Sequence, residues 1–282
     1  EWIYSTDADA QWPSHYLSQA WPTDAAAISL PFQHVVDADT PLGRATLIYE
    51  LWLHHYILGL ELAASDYAFH TLGSCCGFHA HCYGAVRGVP LRAGAEDFYL
   101  LNKLAKMGQI YRPPGPPVLI QARASDRVPF GTGPAVTRLM ASGEPESTPF
   151  FYHPECFTAL QVVLASFPTW LARVNPNISE DLSLKLPKPL ALAATAQLSK
   201  LGLPQALKHS QRNSRDAQQS ARQLRTWFDG FKTLKFLNGL RELSDNHQSY
   251  QQLPGMDSEP ITTRALIAKR QAITARWGWQ LN

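Results

Sequence analysis

Charge is sorted along this chain, and that limits it to two parts of different chemistry. Residues 1–182 hold 10 Lys/Arg against 17 Asp/Glu, residues 183–241 hold 11 against 2, and residues 242–282 hold 4 against 4. The net +2 therefore hides an acidic front and a strongly basic stretch behind it. A total this small does not mark the whole chain as a nucleic-acid binder. At 282 residues there is room for one large domain or two modest ones, with a core that needs no staple. Apolar residues at 45% argue against wholesale disorder. No run of 18 apolar residues appears, so no transmembrane span is expected, and no basic-then-apolar leader is visible. The cysteines, Cys75, Cys76, Cys82 and Cys156, make no zinc spacing with the nearby histidines. They read as reduced, mostly buried thiols of a cytoplasmic protein.

The front reads as mixed α/β. Trp2–Thr6 is a short strand entering an acidic turn, and Pro13–Trp21 a short helix. Leu42–Ala64 has Leu47, Leu51, His54, His55 and Leu58 at helical spacing. Gly73–Gly77 is a small-residue turn or strand, and His79–Val86 a short helix that Arg87-Gly88 ends. Asp97–Met107 is a helix stopped by Gly108. Gln109–Tyr111 and Val118–Ala122 are strands across a Pro/Gly loop. Behind Ser142-Gly143-Glu144-Pro145 the chain reads as helical: Pro154–Val174, Leu190–Leu201, a stripe Ala217, Ala221, Leu224, Phe228, Phe231, and Thr262–Trp277. The expected division is 1–145 and 146–282.

Four places carry acids or bases in patterns that chemistry uses. Asp7-Ala8-Asp9 follows the first strand directly, so two hard oxygen ligands meet at one turn. That suits Mg²⁺ or Mn²⁺ shared with phosphate oxygens, although two aspartates in a turn are also ordinary turn formers. A second pair, Asp37-Ala38-Asp39-Thr40, reads as a loop and helix cap. A phosphatase would need Asp37 as nucleophile, with its threonine one place later than Thr40. Glu96-Asp97 opens a helix, where acids stabilise the dipole or act as a general base. Arg123 and Arg127 precede Gly131-Thr132-Gly133 and could clamp a diphosphate or form surface ion pairs.

Taken in order, these segments resemble the second half of a family 2 glycosyltransferase of the GT-A fold. The resemblance rests on strand–Asp7-x-Asp9, Gly73-Ser74-Cys75-Cys76-Gly77-Phe78, Tyr83-Gly84-Ala85-Val86-Arg87-Gly88-Val89-Pro90 and Glu96-Asp97, and covers residues 1–137. It implies a GT-A-like, Rossmann-like mixed sheet followed by an α-helical region. Asp7 and Asp9 would hold Mg²⁺ or Mn²⁺ and the donor diphosphate, and Arg123 and Arg127 would sit by the phosphates. Asp97 would deprotonate the acceptor hydroxyl, supported by Glu96. The partners implied are a nucleotide-sugar donor and a hydroxyl acceptor, with lipid-linked acceptors included; the reaction would be an inverting sugar transfer.

Only six residues precede Asp7, whereas the family's nucleotide-binding half would stand there. The resemblance therefore leads to three expectations: Trp2–Thr6 is an interior strand of a parallel sheet, its neighbours come from elsewhere, and this chain alone binds nucleotide-sugars poorly. The alternative from another class is a non-catalytic remnant whose helices bind a partner protein. The basic stretch, with Lys200, Lys208, Arg212, Arg215, Arg222 and Arg225, is either a solvated face or a surface for anionic lipid headgroups at the inner face of a membrane. Trp227, Phe228, Phe231 and Phe236 read as core of the helical part.

Overall fold

Ala25–Ser29 is buried at every position, which a strand achieves only in the middle of a sheet covered on both faces. The computed structural model describes residues 1–282 except 38, 93, 124–130, 146, 149–150, 244–246, 249–261 and 282. The chain is mixed α/β and divides into two units. Unit 1 is Glu1–Ile57, Phe69–Pro149 and Ser249–Asn282; unit 2 is Leu58–Ala68 and Phe150–Gln248.

Unit 1 holds two small sheets. The first orders β1 (Trp2–Ser5), β5 (Cys76–His79), β3 (Ala25–Ser29) and β6 (Gln109–Tyr111) as β1-β5-β3-β6. The second orders β2 (Ala10–Gln11), β7 (Val118–Gln121) and β4 (Phe32–Val35) as β2-β7-β4. The helices are α1 (Pro41–Leu62, whose last turn belongs to unit 2), α2 (Ala80–Ala85), α3 (Glu96–Leu104), α4 (Thr132–Ala141) and α11 (Thr263–Ala275). In the first sheet β1 and β3 each run antiparallel to β5, while β3–β6 and β4–β7 are parallel. Gly77 explains how β5 fits between its neighbours: a Cβ there would stand 2.7 Å from Ile28 Cδ1 and 3.1 Å from the Tyr4 ring.

The first strand corrects an expectation. Among the described residues β1 pairs only with β5, and antiparallel, so it is an edge strand and not the interior of a parallel sheet. Its burial alternates accordingly. Ile3 is 40% exposed, while Trp2 packs edge-on to Trp21 and His79, and Tyr4 edge-on to Trp12. One covered face and one wet face is what an antiparallel strand needs.

Unit 2 is helical. It contains α5 (Pro154–Leu171), α6 (Ile178–Ser183), α7 (Lys188–Lys200), α8 (Leu203–Arg212), α9 (Ala217–Trp227) and α10 (Gly230–Leu243), with β8 (Phe151–Tyr152) paired to β9 (His247–Gln248). Phe157, Leu160, Val163, Leu164, Phe167 and Trp170 line the buried side of α5. The stripe read through 217–231 is broken at Phe228-Asp229, because the Asp229 carboxylate accepts Lys232 N–H at 3.1 Å and starts a new helix. Of the four aromatics read as core, Phe228 and Phe236 are buried, whereas Trp227 and Phe231 are half-buried under lysine side chains. Residues 262–281, grouped by sequence with the helical part, lie in unit 1.

Buried charge fixes that placement. Glu50 on α1 is wholly buried and accepts from His34 N (2.9 Å) and His34 Nδ1 (2.7 Å). Arg270 on α11 brings its guanidinium to 3.5 Å from Glu50 Oε1 and 3.4 Å from His34 O. Burial by itself would raise the Glu50 carboxyl, but His34, His54 and Arg270 outweigh it and hold it well below the usual range. His54 Nε2 stands 3.6 Å from Glu50 Oε1, and His54 Nδ1 is 3.1 Å from His70 Nε2. Burial depresses both of these imidazoles, so they are neutral. Phe32, Trp277 and Trp279 wall the pair in.

Candidate functional site

The D-x-D turn is built by the end of an edge strand and held from two sides. Ala10 N–H donates to Asp7 O at 3.1 Å, closing the turn. Gln121 N–H donates to Asp9 O at 3.2 Å, so the turn is tied to the end of β7. Two residues further on, Arg123 Nε lies 3.0 Å from Asp9 Oδ2. Of the two downstream arginines, Arg123 is thus the one that meets the D-x-D turn. Arg127 lies outside the described residues.

Asp97 sits at the start of α3 and is half-buried. Its Oδ2 accepts Gly73 N–H at 2.9 Å and its Oδ1 accepts Phe98 N–H at 2.7 Å. Burial raises its pKa to about 6, helped by the negative charge of Glu96 and opposed by those amide hydrogen bonds. Glu96 is exposed. Just before it Ala95 adopts a left-handed conformation, φ 58° and ψ 26°, as the helix cap. A non-glycine residue held there is strained, and such strain concentrates at sites where the surroundings over-determine the backbone.

The helical turn Gly73–Cys75 joins the two places. Gly73 donates to Asp97, while Ser74 O accepts the indole N–H of Trp12, three residues past Asp9, at 2.9 Å. Asp7 raises the Cys75 thiol electrostatically, and Asp97 does the same to Cys76, in each case adding to the larger effect of burial. Acids of both motifs therefore act on consecutive thiols of one turn. The thiols themselves are buried and reach about 12 at Cys75, so they are poor nucleophiles. All four cysteines are free.

Among the described residues no group of three or more His, Cys, Asp or Glu side chains converges on a metal position. An ion at Asp7 and Asp9 would thus rest on two carboxylates and complete its shell with ligand oxygens. Mg²⁺ and Mn²⁺ bound with a diphosphate take hard carboxylate oxygens of this kind, but Asp9 Oδ2 is held by Arg123 and would have to exchange that ion pair for the metal. The second acidic pair behaves as a cap: Thr40 Oγ1 accepts Gly43 N–H at 3.0 Å and donates to Asp37 O at 2.6 Å.

Sequence reasoning missed the Gly73 amide, the Trp12–Ser74 tie and the buried histidines. Glu50 and His54 stand four apart on a helix, a legible pair. His70 and Arg270 join it only through tertiary structure. No protein-family model, curated protein or solved structure matches the chain at a significant level. No helix of the described residues is long and apolar enough to cross a membrane.

Proposed function

We propose that the chain is a glycosyltransferase of the family 2 kind, with a GT-A-like sheet, transferring a sugar from a nucleotide-sugar to a hydroxyl acceptor with inversion. The observation that carries this reading is Asp97: a half-buried carboxylate with a pKa near 6, hydrogen-bonded to the turn that meets the D-x-D segment. A general base works best when its pKa lies close to the working pH. Asp97 takes the proton of the acceptor hydroxyl as the oxygen attacks the anomeric carbon. Glu96 helps to keep the Asp97 pKa high enough for that task. Asp7 and Asp9 would hold the divalent ion, and Arg123, now paired with Asp9, would turn to the phosphates. When bound, the ion offsets charge building on the leaving diphosphate.

The test is nucleoside diphosphate release from nucleotide-sugars, with Mn²⁺ or Mg²⁺ and with chelator. Metal-dependent release supports transfer chemistry. No release from UDP-, GDP-, ADP- and dTDP-sugars would favour the remnant that binds a partner through its helices. Asp7→Asn and Asp9→Asn should each abolish metal-dependent donor binding while leaving the melting temperature within a few degrees. Calorimetric titration at donor concentrations high enough for the weak binding expected of this chain checks both, and unchanged binding in both variants removes the metal assignment.

A further inference from the structure

We propose that the solvent face of α7–α9 docks the protein on an anionic phospholipid bilayer. On α7, Lys188, Leu192, Ala196 and Lys200 step four residues at a time along the exposed side, opposite buried Leu190, Ala191, Ala194 and Leu198. On α8, Lys208 and Arg212 are exposed, opposite Leu203, Ala206 and Leu207. Arg215 precedes α9, and Arg222 lies on its outer side. The three helices follow one another in the chain, and α8 packs against both α7 and α9.

These cations form no ion pair with a carboxylate among the described residues, and four acids of unit 2 are held elsewhere. Asp216 caps α9 by accepting Gln219 N–H at 2.7 Å. Asp181 pairs with Arg173 at 2.8 Å, and Asp66 pairs with Arg225 at 2.8 Å. Asp229 caps α10. What is left is Lys188, Lys200, Lys208, Arg212, Arg215 and Arg222, exposed and uncompensated.

A solvated face explains the charge but not the apolar residues set within it. Leu192 is 54% exposed between Lys188 and Lys200, and Leu184, just before α7, is 80% exposed. An exposed leucine flanked along its helix by Lys188 and Lys200 matches a headgroup layer with acyl chains beneath it. A single-stranded nucleic acid would call for aromatic faces on which bases stack. Trp227, at the end of α9, and Phe231, on α10, are instead covered by Lys232 and Lys235. Each cation at an anionic surface contributes about fivefold in affinity, and salt screens it.

The experiment is co-sedimentation of the full chain with phosphatidylcholine vesicles, and with vesicles carrying one quarter phosphatidylglycerol. Binding to the anionic vesicles only, weakened by 0.5 M salt, is expected. Lys208→Ala with Arg212→Ala should lower affinity about 25-fold, and Leu192→Ser should lower it at unchanged charge. All three positions are exposed, and thermal melts verify that the variants fold. If they do not, Lys200→Ala with Arg222→Ala serves instead. Failure to bind anionic vesicles at 0.05 M salt overturns the proposal, as does unchanged binding by the charge variants. Displacement from the vesicles by equimolar single-stranded RNA would also overturn it, by showing a nucleic-acid surface. The proposal is independent of glycosyl transfer, because vesicle binding needs neither donor nor metal.

Discussion

At the scale of single residues, Asp97 and Ala95 share one strained helix start. Asp97 binds its proton more tightly folded, at about 6, than at its ordinary 3.8. It therefore favours the folded state at low pH and costs stability as pH rises through that interval. Asn keeps only one of the two acceptors that Gly73 and Phe98 use, a loss independent of pH, so Asp97→Asn should be more favourable to stability at pH 7 than at pH 4 by about 1–3 kcal/mol. Urea unfolding at the two pH values measures it; equal effects at both would mean Asp97 is not raised. Ala95 has its own consequence. Glycine occupies the left-handed region without Cβ strain, so Ala95→Gly should add up to about 1 kcal/mol of stability. If the strain positions Asp97, that gain comes with slower turnover, and a variant gaining stability at full activity would separate the two.

At the scale of elements, the sequence showed local pieces and hid the connections between them. The helices α1, α3, α5, α7 and α11 follow from their spacing and stops, and β6 and β7 from the Pro/Gly loop between them. The strand β3 escaped because Ala25-Ala26-Ala27 carries helical propensity, and only burial between β5 and β6 makes it extended. The edge position of β1 also escaped: strand propensity does not reveal which neighbour a strand has. Long-range charge pairing is the clearest case, since Arg270 meets Glu50 across 220 positions. Removing one partner of a buried pair leaves an uncompensated charge. Arg270→Leu should therefore cost about 3–5 kcal/mol, and adding Glu50→Gln should restore part of it. Denaturant midpoints of the single and double variants test this, and a single variant as stable as the parent would contradict it.

At the scale of the whole molecule, pH acts through groups of opposite sign. His54 and His70 are depressed by burial, so they stay neutral when folded and take protons when unfolded. Their stability is present above pH 6.5, the ordinary imidazole value, and is lost as pH falls below it. Two such protons lower stability by roughly 2.7 kcal/mol per pH unit well below 6.5. Asp97 offsets about half of that between 6 and 4. The melting temperature should fall from pH 7 to pH 5, and a rise across that interval would contradict the neutral-histidine assignment. The charge asymmetry was fully legible in the sequence, whereas the return of residues 262–281 to the first unit depends on contacts no local pattern encodes. Everything proposed for the site rests on Asp97 as the base for sugar transfer. The pH–rate profile of nucleotide-sugar turnover with Mn²⁺ probes that role at its source. It should show an acid limb with an apparent pKa near 6, and Asp97→Asn should lose about 10²–10⁴-fold in rate with donor binding retained. A profile without that limb, or turnover by Asp97→Asn at the parent rate, would contradict it.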